Sequence, residues 1–442
     1  MLTLPSQVHT ALDRFTAAGW EAYVVGGAVR DALRGCAAGD WDITTNAEPA
    51  QVERVFAGER LIETGLRHGT VTVLLDGLPL EITTYRVDGD YTDHRRPDAV
   101  RFTRSLREDL LRRDFTMNAL AYHPRTGLVD VCGGAEDIAR GVVRCVGEPD
   151  RRFGEDALRV MRALRFAACF GFSIGEETAR GLRRSAPGLR RIAAERLREE
   201  MTKLLCGDGA AAVLLAYPEV IGVFLPEILP SVGFEQHNPH HCHTVWEHLV
   251  RSAAAVPPEP VLRWAMLLHD IGKPACFTRD AAGVGHFYDH AEKSAQMVRG
   301  ILRRLRFDRR SAERIELLVR IHDRDLVCTR RSVTRALGKL GPEVLAQLLA
   351  VKRADNLAQA PAYHRRQREL DDVERLMQEI LAENPCFSLA QLAANGRDMT
   401  ALGLTGPAVG KMLRRLLSEV MSGKLENDRE TLLRRAQQLT EK

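Results

Sequence analysis

The 442-residue chain has no apolar stretch long enough to span a bilayer; its longest candidate, 209–230, is cut by Pro218 and Glu219. The N-terminus lacks a basic region followed by an apolar core, so no secretory leader is expected. No Cys-x-x-Cys pair occurs, and the nine cysteines are scattered and odd in number, which argues against a disulfide framework and against a zinc knuckle. These absences predict a soluble, untargeted chain in a reducing cytoplasm with no membrane partner. Internal repeats and low-complexity tracts are also lacking, which excludes solenoids and disordered arrays. Charge of one sign is not in excess: 63 Lys+Arg oppose 59 Asp+Glu for a net +4, so a polyanion would have to be met by local arginine clusters.

What is present is an ordinary globular composition, 45% hydrophobic and 28% charged, and a length that at roughly 150 residues per domain predicts about three domains. The first third mixes short β-type runs, 21–25, 41–45, 70–75 and 80–85, with helical segments, which predicts an α/β head over 1–145. From about Arg151 onward apolar residues recur at three- and four-residue spacing while Pro and Gly retreat to junctions, so the remainder reads as helical. Within it nine of the 14 histidines fall between His237 and His322 and mark an embedded module. The expected segments are a helical neck and body over 146–232, the histidine-rich module over 233–375 and a basic helical tail over 376–442.

Gly26-Gly27-Ala28-Val29-Arg30-Asp31 follows a strand and opens a helix, which aims backbone N–H groups and the Arg30 guanidinium at a space where a triphosphate fits. A tight turn needing no Cβ has the same signature. In Asp40-Trp41-Asp42 strand alternation puts both carboxylates on one face, two hard oxygen donors of the kind Mg²⁺ takes; a solvated strand edge reads the same way when such a pair stands alone. Glu81 is a possible third carboxylate, whose facing alternation alone does not fix. Over 111–119, Arg112 and Arg113 offer donors for phosphate, and Asp114 and Asn118 offer groups for a ribose hydroxyl.

The segment 155–165 is helical in pattern, with Glu155, Arg159 and Arg162 on one face and Asp156 beside Arg159. An ordinary salt-bridged helix would look alike. Cytosine and adenine each present an exocyclic amino donor beside a ring-nitrogen acceptor, whereas guanine and uracil present the reverse. Asp156 accepting and Arg159 donating would therefore admit C and A, and a wrong base would leave polar groups unpaired at roughly 1–3 kcal/mol each.

In this order, GGAVRD, DWD, RRDFTMNA, DVCGGAEDIARG, EDALRVMRALRF and RIAAERLREE resemble the motifs of the class II tRNA nucleotidyltransferase and poly(A) polymerase family over about the first 200 residues. The resemblance implies an α/β nucleotidyltransferase head with a polymerase-β-like mixed sheet, followed by an all-α neck, body and tail. It implies Mg²⁺ on the catalytic pair Asp40 and Asp42, triphosphate or ribose contacts from Gly27, Arg30 and Arg113, and nucleotide binding by Asp156, Arg159, Arg162 and Arg165. Asp156 and Arg159 would then replace a nucleic-acid template. The implied activity is addition of CCA to the 3′ end of tRNA from CTP and ATP, with release of pyrophosphate. Residues 88–105 resemble the flexible loop of members that add the complete CCA, and 64–70 resembles the CCA-adding branch; poly(A) polymerase is the alternative within the family.

Leu268-His269-Asp270-Ile271-Gly272-Lys273, with His243 upstream and Asp355 downstream, resembles the H…HD…D signature of the HD phosphohydrolase superfamily. This implies a helical HD domain with a transition metal on His243, His269, Asp270 and Asp355. Imidazoles and carboxylates suit such an ion, and His290 and His322 offer a second metal site or phosphate contacts. The implied activity is phosphatase or 2′,3′-cyclic phosphodiesterase action on phosphate ends, although HD domains in this family also persist as structural modules. Two further readings are an HD hydrolase whose head is a tRNA-binding remnant, and a non-enzymatic RNA-binding protein. The intact Asp40, Asp42, Arg113, Asp156 and Arg159 argue against both.

In the tail segment 402–415, Gly403, Gly406 and Gly410 permit close backbone approach, while Lys411, Arg414 and Arg415 supply charge near a helix start. That predicts a grip on the tRNA backbone away from the acceptor end; a helix with a solvated basic face has the same pattern.

Overall fold

The computed structural model describes residues 2–65, 69–88, 100–383 and 386–440. The chain divides into two compact units, Met1–Leu229 with Arg304–Phe307, and Pro230–Arg303 with Asp308–Lys442.

In the first unit the strands are β1 (Ala22–Val25), β2 (Trp41–Thr45), β3 (Arg60–Gly65), β4 (Thr70–Leu75), β5 (Leu78–Thr84), β6 (Arg86–Asp88), β7 (Val100–Phe102), β8 (Leu120–His123) and β9 (Gly127–Asp130). Seven of them form one mixed sheet in the order β3-β4-β5-β2-β1-β8-β9, while β6 and β7 pair separately. β2 and β5 run parallel and the other neighbours in the large sheet antiparallel. β4 follows from alternation, burying Val71, Val73 and Leu75. The turn to β5 is Asp76-Gly77, both at positive φ (47° and 82°), the type I′ geometry that suits the twist of a hairpin; Leu75 pairs with Leu78 across it. Phe15, on the helix Ser6–Ala17, closes the core edge-on against Phe56, with centroids 5.4 Å apart. The expected 88–105 loop falls largely outside the described residues, as does the centre of 64–70.

The single helix expected over 155–165 is interrupted. Helix Pro149–Glu155 ends, Asp156 is extended (φ −140°, ψ 105°), and a second helix runs from Leu158 to Phe170. The Asp156 carboxylate accepts the Leu158 N–H at 2.9 Å, a capping bond that competes with continued helix. Apolar spacing persists across the break, so periodicity does not reveal it.

In the second unit the helices Val245–Ala255, Pro260–Leu268, Arg309–Ile321 and Pro342–Leu357 bury Leu249, Trp264, Leu318 and Leu345. Thr244 and Glu247 form a capping box at the start of the first of these. Helix Arg366–Ala382 is continuous across 375/376, so that expected boundary falls inside an element. The tail has its own buried cluster, from Cys386 through Met399, Leu413 and Leu416 to Leu432 and Ala436. Among the described residues no helix is long and apolar enough to cross a membrane.

Candidate functional site

β2 and β5 set Asp42 beside Glu81: the two are in register across a parallel pair, so their side chains leave the same face of the sheet. Asp40 lies just before β2 and is exposed. Burial, and then the Glu81 charge, raise the half-buried Asp42 carboxyl from an ordinary 3.8 to about 6; Arg113 opposes the shift and Asp40 adds to it. Carboxylates that repel one another in this way are a set that a divalent cation stabilises.

Asp40 and Asp42 open on a cavity of about 720 Å³ that is also lined by Gly26, Gly27, Arg30, Arg113, Asp156, Arg159, Arg162 and Arg165. The carboxylate pair, the Gly-Gly turn and the expected arginines of head and neck therefore line one cavity, while Glu81 stands beside Asp42 outside that lining. Gly26 has φ 67°, and a Cβ there would stand 3.2 Å from Arg113 Nη1, so glycine lets that guanidinium approach the turn. Arg113 Nη2 donates to Asp109 Oδ2 at 3.1 Å, and its buried Nε has no hydrogen-bond acceptor among the described residues. Arg30 makes a two-point contact with Asp31 and donates through Nη1 to Asn118 Oδ1 at 2.8 Å, with its guanidinium 4.7 Å from the Phe170 ring. Arg162 Nε donates to Asp114 at 2.8 Å. Burial acts to raise the Asp114 carboxyl, but the Arg162 charge and the Asn118 hydrogen bond outweigh it and hold Asp114 well below the usual range.

The base-reading candidates are held by separate partners. Arg159 Nη1 donates to Glu155 at 2.6 Å and to the Arg152 carbonyl at 3.0 Å. Asp156 Oδ2 lies 3.4 Å from Arg196 Nη2, on the facing helix Ala194–Leu205. Arg165 is 4.1 Å from the Phe166 ring centroid and pairs with Glu200. Asp156 and Arg159 thus set an acceptor and a donor on the wall of one cavity, each held by its own partner.

The second unit holds a different cluster. His248, His269, Asp270 and Asp355 bring one ligand atom each within 4.8 Å of one another, and Asp270, His290 and His322 form a second such group. The four imidazoles share one arrangement. Nδ1 of His248, His269, His290 and His322 donates to the carbonyls of Ala358, Met266, Phe287 and Val319 at 3.2, 2.7, 2.7 and 2.7 Å. A carbonyl only accepts, so each neutral ring turns a bare Nε2 inward. His248 Nε2 and His269 Nε2 stand 3.2 Å apart and His290 Nε2 and His322 Nε2 3.4 Å apart, so each pair can share a proton or turn two nitrogen donors toward one metal ion. Asp270 spans both groups, Oδ2 at 3.3 Å from His269 and Oδ1 at 3.2 Å from His290. Lys273 Nζ lies 2.7 Å from Asp270 Oδ2.

The chain matches the model of the Poly A polymerase head domain over residues 22–144, that of the probable RNA- and SrmB-binding site of polymerase A over 171–229, and that of the HD domain over 240–360. It is 35% identical over 417 residues to the CCA-adding enzyme of Geobacillus kaustophilus, covering 94% of this chain and 92% of that one. The chain belongs to the CCA-adding enzyme family. With the CCA-adding enzyme of Geobacillus thermodenitrificans it shares 46% identity over 257 residues, 58% of this chain and 60% of the relative. The crystal structure of Bacillus stearothermophilus CCA-adding enzyme in complex with CTP superposes with a TM-score of 0.74 at 30% identity, covering 99% of this chain and 98% of that one. The fold is thus a mixed-sheet nucleotidyltransferase head followed by a helical body with an HD domain, two kinds of domain that depend on metal.

One sequence expectation needs correction and several residues were not foreseen. The first histidine of the HD cluster is His248, not His243. His243 precedes the helix Val245–Ala255, whereas His248 sits on that helix's buried face with Val245, Leu249 and Ser252. A histidine on an otherwise apolar helical face was the available signal. Arg196 and Phe170 also line the head cavity; Arg196 was present in RIAAERLREE, but only the packing of two helices brings it to Asp156.

Proposed function

We propose that the head and neck cavity adds CCA to the 3′ end of tRNA from CTP and ATP, with Asp40 and Asp42 as catalytic ligands of Mg²⁺ and Glu81 supporting them. The reading rests on one observation: the carboxylate pair and the Asp156 and Arg159 groups line the same cavity. In the reaction the tRNA 3′-hydroxyl oxygen bonds to the α-phosphorus as its proton passes to solvent, the bond from that phosphorus to the β-phosphate bridging oxygen breaks, and pyrophosphate leaves. A bound divalent ion would supply Lewis acidity toward the attacking and departing oxygens. Gly27, Arg30 and Arg113 border the triphosphate, Asp156 accepts from the exocyclic amine of C or A, Arg159 donates to the ring nitrogen, and Arg162 and Arg165 fix the wall behind them. Nine free thiols support a reducing, cytoplasmic setting.

The test is extension of tRNA transcripts lacking CCA, CA or A with each NTP, resolved to one nucleotide. Asp40→Ala and Asp42→Ala should each abolish C and A addition and leave tRNA binding intact. Incorporation at the wild-type rate by either variant removes the site assignment.

The four inward Nε2 atoms support a second reading, hydrolysis of phosphate esters at the HD cluster, with His248, His269, Asp270 and Asp355 holding a transition metal and His290 and His322 extending the site through Asp270. Asp270→Ala should remove metal-dependent phosphohydrolase activity and spare CCA addition, measured on one preparation.

A further inference from the structure

The cavity of about 510 Å³ over Asp270, His290 and His322 has an aromatic wall that phosphate chemistry does not require. Tyr288 is 70% exposed, unusual for so large a ring. Its ring lies 7° from parallel to that of His286, with centroids 5.5 Å apart. The imidazole is itself pinned, its Nε2 2.9 Å from Asp280 Oδ2. Asp289, at φ 59°, turns the chain between this pair and His290, whose Nδ1 donates to the Phe287 carbonyl. An exposed ring backed by a fixed ring is thus carried within two residues of a cluster histidine. Such a surface is pre-ordered for a planar partner, and a nucleobase has a π-face whatever its sequence.

Resting on the reading of this cluster as a hydrolytic centre, we propose that Tyr288, backed by His286, is a stacking platform for a nucleobase. On that reading the ring adds affinity for the nucleoside-borne phosphate ends already implied for this domain, affinity that base-free esters do not receive. For a monoester, a water oxygen bonds to phosphorus, the bond from phosphorus to the ribose oxygen breaks, and the ribose oxygen leaves with a proton as the hydroxyl; nothing is oxidised or reduced. A free mononucleotide and an RNA 3′ end share this chemistry.

The experiment uses the metal-loaded full chain with adenosine 2′-monophosphate, adenosine 2′,3′-cyclic phosphate, base-free β-glycerophosphate and a tRNA transcript ending in a 2′,3′-cyclic phosphate. Wild-type kcat/KM should favour the nucleoside esters. Tyr288→Ala should raise their KM about tenfold, the order of one base–aromatic stack, and leave both kcat and β-glycerophosphate hydrolysis unchanged. Tyr288→Phe should behave as wild type. A KM rise for the transcript as well assigns the platform to RNA ends, and a rise for mononucleotides alone assigns it to free nucleotides. Independently of turnover, nitration of Tyr288 by tetranitromethane, read by peptide mapping, should be slowed by adenosine 2′-monophosphate and not by ribose 5-phosphate. Hydrolysis that persists in Tyr288→Ala with unchanged KM for every substrate overturns the platform, as does absence of protection. Protection without hydrolysis of any ester by the wild type overturns the hydrolytic reading and keeps the platform.

Discussion

Asp42 and Glu81 are in-register neighbours on the parallel strands β2 and β5, and the Glu81 charge is the largest influence after burial in raising the Asp42 carboxyl to about 6. A carboxyl raised by folding holds its proton more tightly in the folded than in the unfolded chain. Its ionisation therefore costs stability: the penalty is absent below the ordinary 3.8, grows between there and about 6, and is fully present above. Asp42→Asn should stabilise the chelator-treated protein by on the order of 2 kcal/mol at neutral pH, and change nothing near the ordinary carboxylate value. Urea denaturation at the two pH values measures it. An equal gain at both would mean that the effect is packing, not charge. By the same sign, protons compete with metal here, so metal affinity should rise as pH passes upward through about 6, and less steeply in Glu81→Gln.

Base choice depends on the wall formed by Asp156 and Arg159. Replacing either by Ala should leave phosphate placement in position and raise UTP and GTP misincorporation about tenfold relative to CTP and ATP, the scale of one unpaired polar group. Arg196→Met, which removes the cation 3.4 Å from Asp156 Oδ2, should move selectivity the same way by a smaller factor. Unchanged selectivity with reduced stability would mean that these residues form a salt-bridged neck and no more.

The head was legible where side-chain alternation met turn chemistry. β2 and β4 lie where their runs predicted, and Asp76-Gly77 makes the hairpin. β8 was not legible because all four of its residues are buried, which erases alternation. The facing of Glu81 depends on the crossover that sets β5 beside β2, a tertiary fact. At the neck the motif residues were readable, yet the break at Asp156 was not, since one side-chain-to-backbone hydrogen bond outweighs an uninterrupted apolar spacing. In the HD module the doublet His269-Asp270 was plain, while the choice between His243 and His248 turned on which of them faces the helix interior.

That choice is open to direct measurement. His248→Ala should lose metal from the second unit, read by elemental analysis after dialysis, because it removes the Nε2 that stands 3.0 Å from Asp355 Oδ1. His243→Ala should keep the wild-type content. CCA addition should be unaffected in both, and metal loss in His243→Ala alone would restore the sequence assignment.

The tail offers the remaining basic surface. On the helix Pro407–Met421, Met412, Leu413 and Leu416 enter the tail's core, which leaves Lys411, Arg414 and Arg415 exposed. Gly403 and Gly406, at φ 85° and 54°, make the turn that starts this helix, where their lack of a Cβ leaves the backbone open to a phosphate. Arg415 is 3.6 Å from Glu419, a surface pair worth little by itself, so its charge is available to a polyanion. Reversing the charge of Lys411, Arg414 and Arg415 together should weaken tRNA binding and lower its salt slope by roughly 0.7–0.9 for each phosphate that the tail no longer neutralises. It should also raise KM for tRNA at unchanged base selectivity, because these side chains lie in a different unit from the head cavity. Wild-type affinity and slope in the triple variant would move the tRNA grip to the arginines of the neck and body, where the RNA-binding match over 171–229 lies.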